Sequence, residues 1–215
     1  MPQLYLLRHA ESEANAKGVL AGRDNSVNLT TKGRRDSHRL NSLLAKIEFT
    51  SIYSSPITRC LQTIKPYLEN HSKIDLQITD SLIEMDYGSW SGKKLSDLSK
   101  KKEWMLIQSQ PSDFTFPNGE SFQEMRRRVK KFLNSLIDVE GPILLVSHGD
   151  VIKMALSITL DLPLNKFQNF MISPASLSSV NYSESSKSII STNQRVVEKG
   201  FISRASRFIL GGESA

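Results

Sequence analysis

The sequence has very little cysteine and no long apolar run. Cys60 is the sole cysteine among 215 residues, so a disulfide within the chain is impossible and a reducing, cytoplasmic location is expected. No apolar stretch approaches the roughly 20 residues that a membrane span needs. The first residues show no basic segment leading into an apolar one. We therefore expect neither a membrane span nor a secretory signal.

The sequence also has no internal repeat and no long low-complexity segment, which argues against solenoids and disordered chains. Hydrophobic residues make up 39% of the chain, enough for a sizeable core. A length of 215 residues suits one domain, or a domain with a small cap.

The net charge of +6 favours anionic partners. The densest basic run, over 126–131, lies on a predicted amphipathic helix, and few aromatic residues are present to stack on bases. A solvated helix face explains this run better than a nucleic-acid stripe. We expect a small phosphorylated metabolite as ligand, and neither nucleic acid nor a membrane as partner.

Strand-like and helix-like stretches alternate along the chain. Apolar runs predict strands at 3–7, 49–53, 74–79 and 142–146, and a hairpin from 176–182 and 188–192. Apolar residues at helical spacing predict helices at 31–47 and 151–160, and a third that begins with a Ser121–Glu124 capping box. A fourth begins with Ser55 as N-cap and Pro56 at its first position, and Pro66 is expected to kink it or end it early.

This alternation predicts an α/β fold, a three-layer αβα sandwich around a mostly parallel sheet. Residues 1–193 form the predicted domain. Within it, 92–118 breaks the pattern with charged and proline-containing sequence, and we interpret this segment as a small helical cap insertion. Residues 194–215 turn polar and basic and are expected to form a loosely attached tail.

Charged and polar side chains follow several of these strands directly. Arg8 and His9 end the first strand, and Ser147, His148 and Gly149 end the 142–146 strand. Ligands in such sheets bind beyond the carboxyl ends of the strands. Three further positions lie shortly after strands: Asn15, Arg59 and Glu84. We expect these side chains to converge.

The converging set would be a cationic pocket with one carboxyl group. Arginine forks bind phosphate oxygens in pairs, and the start of the helix near Arg59 adds backbone N–H groups. A neutral histidine can attack phosphorus. A carboxylic acid can give a proton to the leaving alkoxide and later take one from water. The pattern thus favours attack by one histidine on a phosphomonoester.

Each residue also has an ordinary structural interpretation. An isolated Arg-His pair is weak evidence, His38 and His71 are expected at the surface, and Glu11 is a helix-start carboxylate. Cys60 lies on an apolar stripe and is expected to be buried. Two histidines and a glutamate could hold zinc, but two neighbouring arginines would repel it, so no metal is expected.

Six stretches together resemble one known family, in that family's order along the chain: LLRHAESEAN, LAGRDNSVNLTTKG, SSPITRCLQT, LIEMDYGSWSG, FPNGESFQEMRRRV and LLVSHGDVI. They are similar to the motifs of the histidine phosphatase superfamily, which includes phosphoglycerate mutases and many phosphatases. Ala10 stands where the family usually has glycine.

The resemblance implies a role for each matching residue. His9 would be the phosphorylated nucleophile and Glu84 the proton donor. Arg8, Arg59 and His148 would hold the phosphoryl group. Asn15 and the backbone at Gly22 and Gly149 would lie near the phosphate. No metal or organic cofactor is implied.

The resemblance leaves three functions open. Mutases of the family carry a longer, more basic insertion after the acid, whereas here 30 residues separate Gly88 from Gly119. We therefore favour a phosphatase, with a phosphoglycerate mutase as the alternative and a non-catalytic phospho-ligand binding module as the third choice. Lysines of the 92–118 segment either face solvent or contact a second acidic group on the substrate. The enzyme is expected as a monomer or homodimer.

Overall fold

The computed structural model describes residues 2–195, and a six-stranded sheet forms its centre. The strand order is β3-β2-β4-β1-β5-β6. The first four strands of this order are parallel to one another. Strand β5 is antiparallel to β1, and β6 is antiparallel to β5. The strands are β1 (Gln3–Arg8), β2 (Ser51–Ser54), β3 (Leu76–Ile78), β4 (Pro142–Ser147), β5 (Ser176–Tyr182) and β6 (Lys187–Arg195). The predicted sandwich with a mostly parallel sheet and a closing hairpin is confirmed.

Helices cover both faces of the sheet. They are α1 (Glu13–Ala16), α2 (Thr31–Leu44), α3 (Thr58–Leu68), α4 (Leu95–Leu98), α5 (Lys102–Ser109), α6 (Phe122–Ser135) and α7 (Gly149–Thr159). Short 3₁₀ turns lie at Asp80–Leu82, Gly88–Trp90, Pro111–Asp113 and Leu164–Asn169. None of the helices among residues 2–195 is long and apolar enough to cross a bilayer.

The layers follow from alternation along the strands. In β4, Leu144 and Val146 pack with the α2 and α3 side, whereas Ile143 and Leu145 pack with the α6 and α7 side. All four are buried, as expected for a strand covered on both faces. The capping box of α6 is present, since Ser121 Oγ accepts from the Glu124 N–H and the Glu124 carboxylate accepts from the Ser121 N–H.

The predicted start of α3 is wrong. The helix begins at Thr58 with Ile57 as N-cap, and no side chain caps it. Ser55 follows the last residue of β2 and continues the hydrogen bonding to β4, because its N–H donates to the Val146 carbonyl at 3.0 Å. Its hydroxyl instead lies 2.8 Å from His148 Nε2.

Pro66 does not end α3, which continues to Leu68. Proline removes the N–H that the carbonyl of Gln62, four residues earlier, would accept. The Ser37 hydroxyl of α2 lies 3.3 Å from that carbonyl oxygen and 2.7 Å from the carbonyl oxygen of Thr63. The neighbouring helix therefore supplies a donor where proline removes one.

The 92–118 segment is partly helical, with α4, α5 and one 3₁₀ turn. It begins alongside the loop after α1: the Leu20 N–H donates to Lys93, the Gly92 N–H donates to Leu20, and Leu95 N–H donates to Gly18. Strand β6 continues to Arg195, two residues beyond the predicted end of the domain at 193. The rest of that predicted tail lies outside the described residues.

Candidate active site

The parallel strands β1, β2 and β4 end at one edge of the sheet, and the predicted site residues meet there. Arg8 ends β1, His9 follows it, and His148 follows β4 as the N-cap of α7. Arg59 lies in the first turn of α3. Glu84 follows the 3₁₀ turn after β3. All five residues are at most 5% exposed.

His9 is held in one tautomer by its own neighbour. Its Nδ1 lies 2.8 Å from the Ala10 carbonyl oxygen, which can only accept, so Nδ1 carries the proton. The unprotonated Nε2 accepts from Nε of Arg59 at 3.3 Å. Burial, and then the charges of Arg59 and Arg8, hold the pKa of His9 well below its usual value. The ring is therefore neutral, with its lone pair directed toward the guanidinium of Arg59.

Arg59 links the histidines to the loop before α2. Its Nη2 donates to the Gly22 carbonyl at 2.7 Å and lies 3.1 Å from Nδ1 of His148. Its Nη1 donates to the Asp24 carbonyl at 3.3 Å. Gly22 adopts a left-handed conformation, φ +55°, and a Cβ there would lie 2.7 Å from the Ser91 hydroxyl. These bonds fix the guanidinium fork in one plane beside His9.

His148 takes the opposite tautomer to His9. Its Nδ1 accepts from Arg59, so Nε2 carries the proton and donates to the Ser55 hydroxyl. Its ring lies edge-on to the His9 ring, with centroids 5.2 Å apart. Burial, followed by the charge of Arg59, holds the pKa of His148 well below its usual value. The cluster thus contains two neutral imidazoles and two guanidinium groups.

Glu84 is the carboxyl group of this cluster. Its Oε1 accepts from the Met85 N–H at 2.9 Å, and its Oε2 lies 3.9 Å from Nδ1 of His148. Burial, and secondarily the charge of Asp150, raises the pKa of Glu84 to about 7. Two arginines anchor its backbone, since Arg23 and Arg128 both donate to the Glu84 carbonyl oxygen, at 3.0 and 3.3 Å. Because its pKa is raised to about 7, this carboxyl group can carry a proton at neutral pH.

Arg8, His9, Arg59 and Glu84 open onto one cavity. Its lining residues are Arg8, His9, Ser12, Asn15, Val19, Leu20, Ala21, Gly22, Arg59, Glu84 and Tyr87. Ser12 and Asn15 both line this cavity, and they are joined there because Asn15 Oδ1 accepts from the N–H and the hydroxyl of Ser12.

Three predicted participants do not line this cavity. His148 lies behind Arg59, and Gly149 is buried at the start of α7. The 92–118 segment contributes no lining side chain, and its Phe114 is buried against Trp90 and Phe116. The segment reaches the cavity wall through its backbone pairing with residues 18–20 and through Phe116, whose ring lies edge-on to that of Tyr87 with centroids 5.1 Å apart.

Sequence reasoning missed Tyr87, Asp150 and Lys153. The Tyr87 hydroxyl donates to Oδ2 of Asp150 at 2.8 Å, and Lys153 Nζ lies 3.4 Å from Oδ1 of Asp150. All three are buried. A signal was available, because Asp150 and Lys153 are two charges one turn apart in the otherwise apolar helix α7.

Cys60 is buried as expected, with Sγ 3.5 Å from the Ser147 carbonyl oxygen. Burial raises the pKa of its thiol to about 12, so it is not a reactive thiolate. In the described part of the chain, no three His, Cys, Asp or Glu side chains form a group suited to a metal ion.

The family model of the histidine phosphatase superfamily (branch 1) matches residues 4–195. The chain belongs to this superfamily. Its paired imidazoles, two arginines and buried acid all fall within the matched range.

Relatives in the superfamily are named either as phosphoglycerate mutases or as phosphatases. "Probable phosphoglycerate mutase GpmB" of Cronobacter sakazakii is 31% identical over 86% of this chain and 87% of its own length. "Phosphoserine phosphatase 1" of Hydrogenobacter thermophilus is 29% identical over 90% and 92%. The crystal structure of the alpha-ribazole phosphatase from Shigella flexneri covers 93% of this chain and 100% of its own, with a TM-score of 0.81 and 24% identity. That structure shows the shared fold.

Proposed function

We propose that this protein is a phosphatase that hydrolyses a small phosphomonoester through a phosphohistidine on His9. One observation carries the proposal: the Nε2 lone pair of the neutral His9 ring faces the guanidinium of Arg59, in a cavity that is also lined by Arg8 and by Glu84, whose burial raises its pKa to about 7. The phosphatase relatives support it. The proposed enzyme needs no metal or other cofactor and acts in the cytoplasm.

In the first step, Nε2 of His9 attacks phosphorus and the ester P–O bond breaks. The phosphoryl oxygens take the donors of Arg8 and Arg59, whose two positive charges match a dianion. The leaving alkoxide takes the proton of Glu84 and departs as the alcohol. The Nδ1–H bond to the Ala10 carbonyl stabilises the positive charge that forms on the imidazole.

In the second step, water attacks phosphorus and the N–P bond breaks. Glu84, now ionised, takes a proton from the water and returns to its starting form. His148 lies behind Arg59 and His9, so it supports the position of the guanidinium. Direct contact between His148 and the phosphoryl group stays a prediction.

A leaving-group comparison tests the role of Glu84. We expect Glu84→Gln to lower kcat/KM by about 10²–10³-fold for alkyl phosphomonoesters and much less for p-nitrophenyl phosphate, whose phenolate leaves without a proton. With the alkyl ester, the wild-type rate should fall above about pH 7, because the active carboxyl loses its proton there. Equal losses for both esters would contradict the proton-donor role.

Phosphoglycerate mutase is the second candidate, because several relatives carry that name. We expect incubation with 3-phosphoglycerate to give at most slow release of phosphate and no efficient formation of 2-phosphoglycerate, measured by NMR. The short segment between Gly88 and Gly119 supports this expectation. Rapid interconversion of the two isomers would establish the mutase instead. A binding module is disfavoured, because both His9 and Glu84 are present.

A further inference from the structure

The segment that carries Glu84 has little regular structure of its own. Glu84 lies between two short 3₁₀ turns, Asp80–Leu82 and Gly88–Trp90, and belongs to neither. A proton donor must lie within hydrogen-bond reach of the leaving oxygen, and its neighbours must hold it close to that geometry. The contacts that hold Glu84 in place therefore come from outside the segment.

Arg128 of α6 binds this segment at two points. Its Nη1 donates to the Ser81 carbonyl oxygen at 3.0 Å, and its Nη2 donates to the Glu84 carbonyl oxygen at 3.3 Å. Arg128 belongs to the basic run over 126–131, which the sequence assigns to a solvated helix face. Its side chain is only 20% exposed, whereas the neighbouring Arg127 is exposed. Arg128 thus faces the Glu84 segment, unlike its neighbour in the run.

Glu120 fixes the guanidinium group of Arg128. Its Oε1 accepts from Nε of Arg128 at 2.8 Å and its Oε2 accepts from Nη2 at 3.0 Å, so the pair is bidentate. A bidentate pair fixes the plane of the guanidinium group as well as its distance. The same Oε2 accepts from Nη2 of Arg23 at 3.2 Å and from the Asp86 N–H at 3.4 Å. Glu120 therefore joins two arginines to the backbone beside Glu84.

Arg23 connects this cluster to the phosphoryl side of the cavity. Its Nε donates to the Glu84 carbonyl oxygen at 3.0 Å. Its own backbone lies between Gly22 and Asp24, whose carbonyl oxygens both accept from the guanidinium group of Arg59. One short loop thus holds Arg59 through its backbone and Glu84 through a side chain.

We propose that Arg128, fixed by Glu120 and joined by Arg23, is a positioning residue that sets the place of the Glu84 carboxyl group relative to the phosphoryl-binding side chains. The three residues all lie in the described part of the chain, and none of them lines the cavity, so they act through Glu84. The catalytic consequence rests on the proposed function, in which Glu84 gives its proton to the leaving group.

The test compares two esters in Arg128→Met, which keeps the aliphatic stem and removes the fork. We expect kcat/KM for an alkyl phosphomonoester to fall by about 10–10²-fold, because a displaced acid transfers its proton poorly. The loss for p-nitrophenyl phosphate should be about threefold or less, because its phenolate leaves without a proton. A smaller folded fraction would lower both rates equally, so equal losses would overturn the inference. Arg128→Lys keeps the charge without the planar fork and should recover only part of the alkyl-ester rate.

Arg127→Met is the matched control. It removes the same kind of side chain from the exposed position one residue earlier in α6, so both esters should be hydrolysed as by the wild type. If Arg128→Met does not fold, Glu120→Gln replaces it, because that variant keeps the shape of Glu120 and weakens the bidentate pair. Equal losses for the two esters in Glu120→Gln would overturn the inference in the same way.

Hydrogen exchange gives a measurement that does not depend on activity. The Met85 N–H donates to Oε1 of Glu84 at 2.9 Å, so its exchange rate reports how often the Glu84 segment opens. In Arg128→Met we expect the Met85 amide to exchange at least about tenfold faster relative to the Leu144 amide of β4, which reports opening of the central sheet. An unchanged ratio of the two exchange rates would contradict the positioning role.

The two measurements separate this inference from the proposed function. If exchange at Met85 accelerates but Glu84→Gln keeps full activity, Arg128 positions the segment and the proposed function fails. If Glu84→Gln shows the ester-selective loss and Arg128→Met lowers both esters equally, the proposed function stands and the inference fails. When both hold, adding Arg128→Met to Glu84→Gln should cause no further ester-selective loss, because the two residues act through one proton transfer.

Discussion

His9→Ala abolishes the release of phosphate from p-nitrophenyl phosphate and from alkyl phosphomonoesters, by at least about 10⁴-fold in kcat. This is the largest effect that we expect, because the substitution removes the atom that forms the bond to phosphorus. Arg8 and Arg59 remain in the variant, so binding of inorganic phosphate should persist in calorimetry. Retained binding separates loss of the nucleophile from loss of the fold.

His38→Ala is the control for that experiment. His38 is an exposed histidine on α2 that does not line the cavity, and its removal should leave turnover unchanged. A rapid quench of the wild-type reaction with ³²P-labelled substrate should trap an acid-labile phosphoenzyme that His9→Ala does not form. Substantial turnover by His9→Ala, or labelling of that variant, would refute the nucleophile assignment.

Arg59→Met should give the second-largest effect, a loss of about 10³-fold in kcat/KM. The substitution keeps the aliphatic stem but removes the fork that contacts His9, His148 and the Gly22 carbonyl. Arg59→Lys restores the charge without the planar fork, so it should recover only part of the activity.

The pH profile of Arg59→Met gives an independent check. The charge of Arg59 is one cause of the low pKa values of both histidines, so its removal should raise those values. The acid limb of kcat should then move to higher pH, because His9 attacks only when neutral. Arg35→Met, at an exposed position of α2, is the matched control and should behave as wild type. Activity of Arg59→Met within tenfold of wild type would contradict the proposed site.

Much of the fold could be predicted from the sequence, because burial on two faces leaves a clear pattern. The 142–146 run became β4 and the 176–182 stretch became β5. The errors lie where tertiary contacts replaced local signals. Ser55 has the residue type of an N-cap, but its backbone N–H donates to Val146 of β4 and its hydroxyl accepts from His148. Pro66 has the residue type of a helix end, but a hydroxyl from α2 compensates for it.

The candidate site divides in the same way. Arg8, His9, Arg59, His148 and Glu84 could be chosen from their places after strands, because parallel strands end at a common edge. The composition of the 92–118 segment could not show that none of its side chains lines the cavity. Asp150 was passed over although Lys153 follows one turn later in a mostly apolar helix, because that local signal does not show which residues outside the helix the pair contacts.

The sequence by itself determined the layers of the fold and which chemical groups reach the edge of the sheet, since both follow from hydrophobic pattern and strand order. Only the tertiary structure decided which of those groups carry protons. Burial, and then the charge of Arg59, holds the pKa values of both imidazoles low, and burial, followed by the charge of Asp150, raises the pKa of Glu84 to about 7. Those states depend on distance and on exclusion of water between residues fifty or more positions apart, and a linear sequence specifies neither until the chain has folded.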